Sequence, residues 1–280
     1  MIASSAGPAR QLEDRICVVS GAAQGMGRSI ALMMAERGAR AVVVVDRVES
    51  AEVCDEIRDR GADALGVMCD LRDRESVRVA VDETVARFGG IDVLVNNAGV
   101  LERAFTNDVD FDTVPEALWD LVMDVNVKGA WLLSRFAAPH LRVSRRTPAI
   151  VNAASIAGRA AFSHAVYGVS KAALIQLTRS MALTLAPDVR VNCYCPGTVD
   201  TDMSASARSA GAVDSRVSAI TETNLIPRLA RPDEIAELAC FLASPAASFI
   251  TGAAYDVDGG AMAWRGHRRD PDAGGSSSRH

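Results

Sequence analysis

The sequence predicts an α/β fold in which a mostly parallel sheet of about seven strands carries helices on both faces. Short β-branched runs alternate along the chain with longer amphipathic stretches. Several of the short runs are apolar throughout, as expected for strands that are buried on both faces. No internal repeat and no Pro/Gly/Ser-rich linker interrupts the alternation of the 280 residues. We therefore expect one domain over residues 1–264 with right-handed, doubly wound crossovers.

Seven runs predict the strands, because each is short and rich in Val, Ile and Ala. They are Ile16–Ser20, Ala41–Asp46, Ala64–Met68, Ile91–Asn96, Ala149–Ala154, Val189–Cys195 and Ala253–Val257. Six amphipathic stretches predict the helices. They are Gly27–Arg37, Ser50–Arg60, Asp73–Phe88, Pro115–Ala138, Val166–Ala186 and Pro232–Ala243. Pro115 and Pro232 suit the first turn of a helix.

Two segments break this alternation. Residues 202–224 are rich in Ala, Ser and Thr and follow a predicted strand. They are either a mobile cover over the carboxyl edge of the sheet or an ordinary surface loop. Residues 265–280 are low in apolar side chains, which predicts a disordered tail.

Charge and composition exclude several classes of function. The net charge of −5 argues against broad nucleic-acid binding and against an anionic membrane surface as a partner. No apolar run is long enough to cross a bilayer, and the first residues lack the apolar core of a signal peptide, so we expect a cytoplasmic protein. The six cysteines fit reduced, buried thiols, and the four histidines lack metal-ligand spacing, so we expect no metal site.

The basic residues are unevenly divided. Of the 30 Lys and Arg residues, only Lys128 and Lys171 are lysines. Arg stays charged and forked, whereas Lys is a compact donor whose pKa can move. Any function that needs such an ammonium group therefore falls to one of two positions.

A glycine-rich loop joins the first predicted strand to the first helix. Glycines allow a sharp turn and close approach to a ligand, and the N–H groups of the helix start suit a pyrophosphate. The GxxxGxG spacing differs from the common GxGxxG fingerprint, and a plain packing turn is the alternative. The position between strand and helix favours a dinucleotide. The candidate binding residues are Gly21, Gln24, Gly25, Met26 and Gly27.

Asp46 ends the second predicted strand, where a carboxylate can accept hydrogen bonds from both hydroxyls of an adenosine ribose. The same carboxylate repels a 2′-phosphate, and Gln24 adds no positive charge. Arg47 is evidence in the other direction, because it could reach a 2′-phosphate. The acid is the more direct contact, so NAD is favoured over NADP.

Further motifs follow in a fixed order. They are Asp70-Leu71, Asn96-Asn97-Ala98-Gly99, the set Asn126, Ser155, Tyr167 and Lys171, the run Pro196-Gly197-Thr198-Val199-Asp200-Thr201, and Asp258-Gly259-Gly260. Together with the glycine loop, these motifs resemble the classical short-chain dehydrogenase/reductase family, from about Leu12 to Trp264. The resemblance implies a Rossmann-type fold, a nicotinamide cofactor, and a homo-oligomer, either tetramer or dimer.

The resemblance also implies cofactor contacts. Asp70 and Leu71 would hold the adenine, and Asn97, Ala98 and Gly99 would lie near the dinucleotide. Pro196, Gly197, Val199 and Thr201 would contact the nicotinamide end, with Thr201 on the carboxamide side. Tyr167 and Lys171 would contact the cofactor as well, because Lys171 could hold the nicotinamide ribose.

The chemistry of two residues supports the resemblance independently. Tyr167 and Lys171 are four residues apart and so share one face of a helix. A tyrosine has a pKa near 10 and is a poor base at neutral pH, but a nearby ammonium favours the phenolate. The pair predicts Tyr167 as the proton acceptor and Lys171 as the group that lowers its pKa. A chance pair on a helix surface is the alternative.

Ser155 follows a predicted strand at the carboxyl edge of the sheet, where its hydroxyl can donate to a substrate oxygen. A serine after a strand is otherwise a cap or turn residue. Ser155 and Tyr167 are twelve residues apart, one fewer than is usual in the family, so we expect a shortened loop between Arg159 and Val166. The resemblance makes Asn126 part of a proton relay; a hydrogen-bonded core asparagine is the alternative.

The chemistry and the resemblance together predict an NAD-dependent oxidoreductase that interconverts a secondary alcohol and its ketone. The alternatives are an NADPH-linked biosynthetic ketoreductase and a non-catalytic dinucleotide-binding regulatory protein. The substrate is a small molecule, and a cyclic or medium-sized alcohol is a guess. Core packing or an ordinary loop position explains the candidate pocket residues equally well; these are Leu101, Phe162, His164 and Met203.

Overall fold

The computed structural model of the chain describes residues 10–106, 110–162, 166–201 and 224–263. These residues form one seven-stranded sheet. Its strands are β1 (Ile16–Ser20), β2 (Ala41–Asp46), β3 (Asp63–Met68), β4 (Val93–Asn96), β5 (Ala149–Ala153), β6 (Arg190–Pro196) and β7 (Ala254–Val257). The order across the sheet is β3-β2-β1-β4-β5-β6-β7, and every neighbouring pair is parallel. The predicted fold class is confirmed.

The five inner strands, β2, β1, β4, β5 and β6, are buried on both faces, which explains their apolar sequences, whereas the edge strands β3 and β7 are partly exposed. In β2, Val42 and Val44 pack into the core on one side of the sheet, and Val43 and Val45 pack into the core on the other. All four are 0% or 1% exposed. Because successive strand residues point to opposite faces, an uninterrupted run of valines fits this position.

Seven α-helices form the two outer layers of the described chain. They are α1 (Gly25–Glu36), α2 (Ala51–Asp59), α3 (Arg74–Phe88), α4 (Glu116–Met123), α5 (Ala130–Val143), α6 (Tyr167–Leu185) and α7 (Pro232–Ala243). Buried residues of α1, α2 and α7 belong to the core on one face of the sheet, and those of α3, α5 and α6 to the core on the other. This arrangement is the doubly wound sandwich that the alternation predicts.

Local signals set several helix ends. Asp73 caps α3 by accepting a hydrogen bond from the backbone N–H of Glu75 (2.9 Å). Gly89 ends the same helix with φ of +87°, in the left-handed region that glycine tolerates. Pro232 is the first residue of α7, and the side chain of Glu234 accepts from the backbone N–H of Arg231 (2.8 Å), which is one of the two bonds of a capping box.

The predicted helix Pro115–Ala138 differs from the structure. It divides into α4 and α5, which are joined by a π-helical turn over Asp124–Gly129. The helix also passes through Pro139 to Val143. Pro139 removes one backbone donor, but Leu141 beyond it is fully buried, so core packing carries the helix past the proline.

Most other predicted boundaries lie within about two residues of the observed ones, the usual uncertainty at element ends. The predicted cover segment, 202–224, lies outside the described residues except for Asn224, and so does the predicted tail, 265–280. Among the helices that are described, none is long and apolar enough to cross a membrane.

The topology creates a cleft. From β1 the chain winds outward through β2 and β3, and β4 then returns to the other side of β1. The connections that leave β1 and β4 therefore diverge. In open parallel sheets, ligands bind at such a switch point, outside the carboxyl ends of the strands.

Candidate active site

A cleft of about 380 Å³ lies at this switch point. Twelve of the predicted cofactor residues line it: Gly21, Gln24, Gly25, Met26, Asp46, Arg47, Asp70, Leu71, Asn97, Ala98, Gly99 and Thr201. Six do not line it: Gly27, Tyr167, Lys171, Pro196, Gly197 and Val199. The sequence reasoning did not single out Arg72, Val100, Phe105, Leu121 and Val125, which also line the cleft.

The glycine loop is built for close approach. Gly21 and Gly25 have φ of +63° and +58°, which side chains disfavour. A Cβ on Gly27 would lie 2.0 Å from the carbonyl oxygen of Gly21, so only glycine fits there. Gly27 therefore contributes to the shape of the loop, although it does not itself line the cleft.

Hydrogen bonds fasten the loop to the end of β4. Asn97 Nδ2 donates to the carbonyl oxygens of Ser20 (3.2 Å) and Gly21 (3.0 Å). The hydroxyl of Ser20 accepts from the backbone N–H groups of Asn97 (3.1 Å) and Ala98 (3.2 Å). The two strands flanking the switch point are thus tied together by side chains. Ser20, a polar residue at the end of an apolar strand, was a detectable signal that the sequence reasoning missed.

Asp46 is joined to the same loop. Its Oδ2 accepts from the backbone N–H of Ala23 (2.9 Å), and its Oδ1 accepts from the N–H of Arg47 (2.7 Å) and of Val48 (3.3 Å). A carboxylate offers about four acceptor sites, so one remains for a ligand hydroxyl. The loop and the acid together fit a dinucleotide, because Gly21, Gly25 and Gly27 keep side chains out of the path and Asp46 is held at its edge.

Asp70 is partnered by a residue that the sequence reasoning did not consider. Arg72 forks onto its carboxylate, with Nη2 2.6 Å from Oδ2 and Nε 3.0 Å from Oδ1. This pairing holds the pKa of Asp70 below its ordinary value. The acid therefore stays an acceptor at the end of the cleft that the resemblance assigns to adenine.

The four predicted catalytic residues come from three parts of the fold. Ser155 follows β5, Asn126 lies in the π turn, and Tyr167 and Lys171 lie in the first turns of α6. The ammonium of Lys171 is 5.4 Å from the ring centre of Tyr167. Ser155 and Tyr167 are in contact despite their shorter sequence spacing, because their side chains are hydrogen-bonded to each other. The loop between Arg159 and Val166, which is predicted to be shortened, lies partly outside the described residues. His164 and Met203 also lie outside them.

Ser155 is a cap residue, and its hydroxyl also contacts Tyr167. Its hydroxyl accepts from the backbone N–H of Ala157 (3.1 Å) and so caps the short 3-10 turn Ile156–Gly158. The same hydroxyl reaches the phenol of Tyr167. The cap therefore fixes the side chain that would meet a substrate oxygen.

Burial is the largest cause of the pKa shifts of Tyr167 and Lys171. It raises the pKa of Tyr167 to about 12; the hydrogen bond from Ser155 acts in the opposite direction, and the charge of Glu102 adds to the rise. Burial also lowers the pKa of Lys171 to about 8. In the protein by itself the pKa of Tyr167 is thus raised, because desolvation disfavours the phenolate, and the lowering of that pKa by Lys171 stays a prediction.

Lys171 is almost fully buried, at 3% exposure, and donates to the carbonyl oxygen of Ala153 (2.7 Å). A compact ammonium suits a single bond in a buried position, whereas a guanidinium is a larger, forked donor. The position therefore uses the property that distinguishes Lys from the 28 arginines.

Asn126 is fully buried and clamps the segment after β4. Its Oδ1 accepts from the backbone N–H of Val100 (2.8 Å), and its Nδ2 donates to the carbonyl of Val100 (3.0 Å) and to the hydroxyl of Ser170 (3.0 Å). The side chain is thus a structural bridge between the strand edge and α6. Its backbone lies in the π turn, whose ladder differs from that of an α-helix.

One further residue contacts the start of α6, and no pattern in the sequence predicts that contact. Glu102 is fully buried, and its carboxylate accepts from the backbone N–H groups of Val166 (3.2 Å) and Tyr167 (3.2 Å). A single acid in a loop has no pattern that predicts such a contact. Only the folded chain brings it to the start of α6.

The arrangement can carry out a proton transfer next to a bound dinucleotide. A phenol with an adjacent hydroxyl can hold an oxygen atom and exchange its proton. Within the described residues, no three His, Cys, Asp or Glu side chains are grouped as metal ligands. The described cysteines, all six of the chain, are buried free thiols.

Known proteins resemble the chain over most of its length. A family model described as "Enoyl-(Acyl carrier protein) reductase" matches residues 21–262. The cis-4-hydroxycyclohexanecarboxylate dehydrogenase of Sinomonas cyclohexanicum is 41% identical over 88% of this chain and 96% of its own length.

Solved structures of other proteins are also similar to this chain over most of its length. A short-chain type dehydrogenase/reductase from Mycobacterium marinum has a TM-score of 0.80 and 32% identity, covering 90% of this chain and 97% of its own. The aldohexose dehydrogenase of Thermoplasma acidophilum also has a TM-score of 0.80 and 32% identity, covering 91% and 96% of the two chains.

Proposed function

The chain belongs to the classical short-chain dehydrogenase/reductase family, and from this premise we propose that it interconverts a secondary alcohol and its ketone with NAD(H). It is an oxidoreductase that acts on CH–OH groups and uses a nicotinamide dinucleotide. The observation that carries the finer proposal is the hydrogen-bonded Ser155–Tyr167 pair, with Lys171 beside the phenol.

The chain's own residues divide the work of alcohol oxidation. Ser155 holds the reacting oxygen by donating a hydrogen bond, and Tyr167 accepts the hydroxyl proton. Lys171 lies beside the phenol with its charge available to the phenolate that forms. When bound, the nicotinamide supplies the hydride acceptor. The high pKa of Tyr167 in the protein alone means that the phenol stays protonated until a positive charge is bound nearby.

Asp46 supports NAD over NADP. Its carboxylate lies at the edge of the cleft, is fixed by three backbone N–H groups and keeps acceptor capacity for a ribose hydroxyl. A 2′-phosphate at the same point would meet like charge.

The second candidate, an NADPH-linked ketoreductase, has one observation in its favour: Arg47 also lines the cleft, next to Asp46. Turnover with NAD and NADP separates the two candidates. A strong preference for the phosphorylated cofactor would overturn the role given to Asp46. Asp46→Ser should then change little, whereas under the NAD proposal it should weaken NAD binding and relax the preference.

A cyclic secondary alcohol is the proposed substrate class. The relative named for cis-4-hydroxycyclohexanecarboxylate supports it. The test is a set of cyclic alcohols with and without a carboxylate, together with linear alcohols and aldohexoses, followed by NADH absorbance. Tyr167→Phe should abolish turnover while the cofactor still binds. Unchanged turnover in that variant would overturn the catalytic assignment.

We also propose a cytoplasmic homo-oligomer, a tetramer or a dimer, assembled through the helices near the site. Large apolar side chains on these helices support it: Trp119 and Trp131 are each 39% exposed, and Leu183 is 83% exposed. Light scattering after size exclusion measures the assembly. A monomer at micromolar concentration would overturn this proposal.

A further inference from the structure

Glu102 is a buried acid that contacts the start of α6 and that the proposed reaction does not use. It begins the short 3-10 turn Glu102–Ala104 after β4, and none of its surface is exposed. A charged side chain is rarely buried to this degree unless it has polar partners. The partners at Val166 and Tyr167 therefore point to a defined task.

Those partners are the first backbone donors of α6. Val166 precedes the helix and Tyr167 is its first residue, so their N–H groups have no acceptor within the helix. Both carboxylate oxygens of Glu102 lie within 3.3 Å of the N–H of Tyr167. An acid at this end is also favoured by the helix dipole.

The backbone of Tyr167 is held at its other end as well. The hydroxyl of Ser170 donates to the carbonyl oxygen of Tyr167 (2.7 Å), and Asn126 in turn donates to Ser170 (3.0 Å). Asn126 also clamps Val100, two residues before Glu102. The segment 100–102 thus contacts the N–H of Tyr167 directly through Glu102 and is linked to its carbonyl oxygen through Asn126 and Ser170.

The charge of Glu102 acts on the phenol too. Among the described residues, the other polar groups that interact with the phenol or its ring include Ser155, which is hydrogen-bonded to it, Lys171 on the same helix and Tyr194 of β6. Cys193 and Cys195 of β6 interact with Lys171. Among these groups, Glu102 opposes a phenolate, because like charges disfavour each other.

We propose that Glu102 is a positioning residue for Tyr167, whose backbone it fixes through the first N–H groups of α6. This inference rests on the proposed function. The hydrogen bonds and the charge make separate predictions, because Glu102→Gln keeps an acceptor oxygen but loses the charge, whereas Glu102→Ala loses both.

The first test is the pH dependence of turnover in both directions. Oxidation needs the phenolate form of Tyr167, so its rate rises with pH, and reduction needs the phenol, so its rate falls with pH. A lower pKa of Tyr167 moves the rising limb of the first profile and the falling limb of the second to lower pH. Glu102→Gln should show this shift, and Glu116→Gln, an exposed acid in the first turn of α4, should not. All variants are also measured with His164→Gln, because His164 precedes Tyr167 by three residues in the sequence and a histidine side chain changes its charge near neutral pH. Limbs that coincide with those of the parent chain would overturn the electrostatic part.

A second variant decides the matter if Glu102→Gln does not fold. Glu102→Asp keeps the charge but withdraws it by one methylene from the N–H donors. Its kcat should fall by roughly tenfold or more with little change in KM, since a displaced catalytic group slows the reaction rather than weakening binding. A kcat equal to that of the parent chain would overturn the positioning role.

The last measurement is independent of activity. Hydrogen–deuterium exchange of the Val166 and Tyr167 amides should be faster in Glu102→Ala and unchanged in Glu116→Ala. If the parent chain turns over no alcohol, the proposed function fails while this exchange still tests the contact. If the parent chain is active and the exchange is the same in both variants, the inference about Glu102 fails alone.

Discussion

Replacing Lys171 with Met should make stability less dependent on pH. The pKa of the buried ammonium is lowered from 10.5 to about 8 because charge is costly there. Below pH 8 the folded protein must keep a buried charge that the unfolded chain exposes to water. Between pH 8 and 10.5 the unfolded chain holds this proton more often than the folded one, so the parent protein gains stability as pH rises.

The magnitude follows from that difference in pKa. At about 1.4 kcal/mol for each pH unit, a change from 10.5 to about 8 corresponds to about 3 kcal/mol. Lys171→Met removes this contribution at every pH. It also leaves the carbonyl of Ala153 without its donor, which costs about 1–3 kcal/mol but does not vary with pH. The difference between variant and parent should therefore change by about 3 kcal/mol in favour of the parent between pH 7 and 10.5.

Urea denaturation at fixed protein concentration, repeated across this pH range, measures the effect. The chain offers a matched control in its other lysine. Lys128 is 51% exposed and pairs with Asp124 at 3.1 Å, so Lys128→Met should shift stability by no more than about 0.5 kcal/mol at any pH. A pH-independent difference for Lys171→Met would refute the reasoning that burial depresses the pKa of this lysine.

Three further changes have defined outcomes. Lys171→Arg should retain the charge but lose most turnover in the NADH assay, because a fork cannot replace the single bond to Ala153; parent-level activity would contradict this. Gly27→Ala should weaken cofactor binding by at least about tenfold in calorimetry, since its Cβ would collide with the loop, whereas Gly90→Ala meets no atom within 4 Å and should bind normally. Arg190→Met should lower the free energy of unfolding by about 3 kcal/mol or more, because the buried guanidinium donates to four backbone carbonyls; a loss under about 1 kcal/mol would show that those carbonyls find other donors.

The sheet could be predicted because its sequence signal is local. Each inner strand is buried on both faces, so runs such as Ala41–Asp46 consist almost entirely of apolar residues, and β2 begins and ends where that run does. The switch point follows from the order of strands and helices once right-handed crossovers are assumed. The glycine loop and Asp46 were found for the same reason, since each lies at the end of a recognisable strand.

The division of the fourth predicted helix could not be foreseen. Asn126 and its neighbours look like ordinary helical residues, and only the packing of Val100 and α6 against them selects a π turn. Likewise, whether the pKa of Tyr167 is raised or lowered depends on burial, and the four-residue spacing of Tyr167 and Lys171 does not predict burial. Glu102 was invisible because its partners lie more than 60 residues away in sequence.

The π turn between α4 and α5 has a consequence for how this family of folds can change by insertion and deletion. A helix advances about 100° per residue, so deleting one residue within Asp124–Gly129 and restoring an α-helical ladder would rotate α4 against α5 by roughly that angle. Leu118 and Val122 on one side and Leu133 and Leu141 on the other could not then all face the interior. The two helices therefore keep their relative phase only as long as the extra residue is present, and a one-residue deletion there should be tolerated far less than one in an exposed loop.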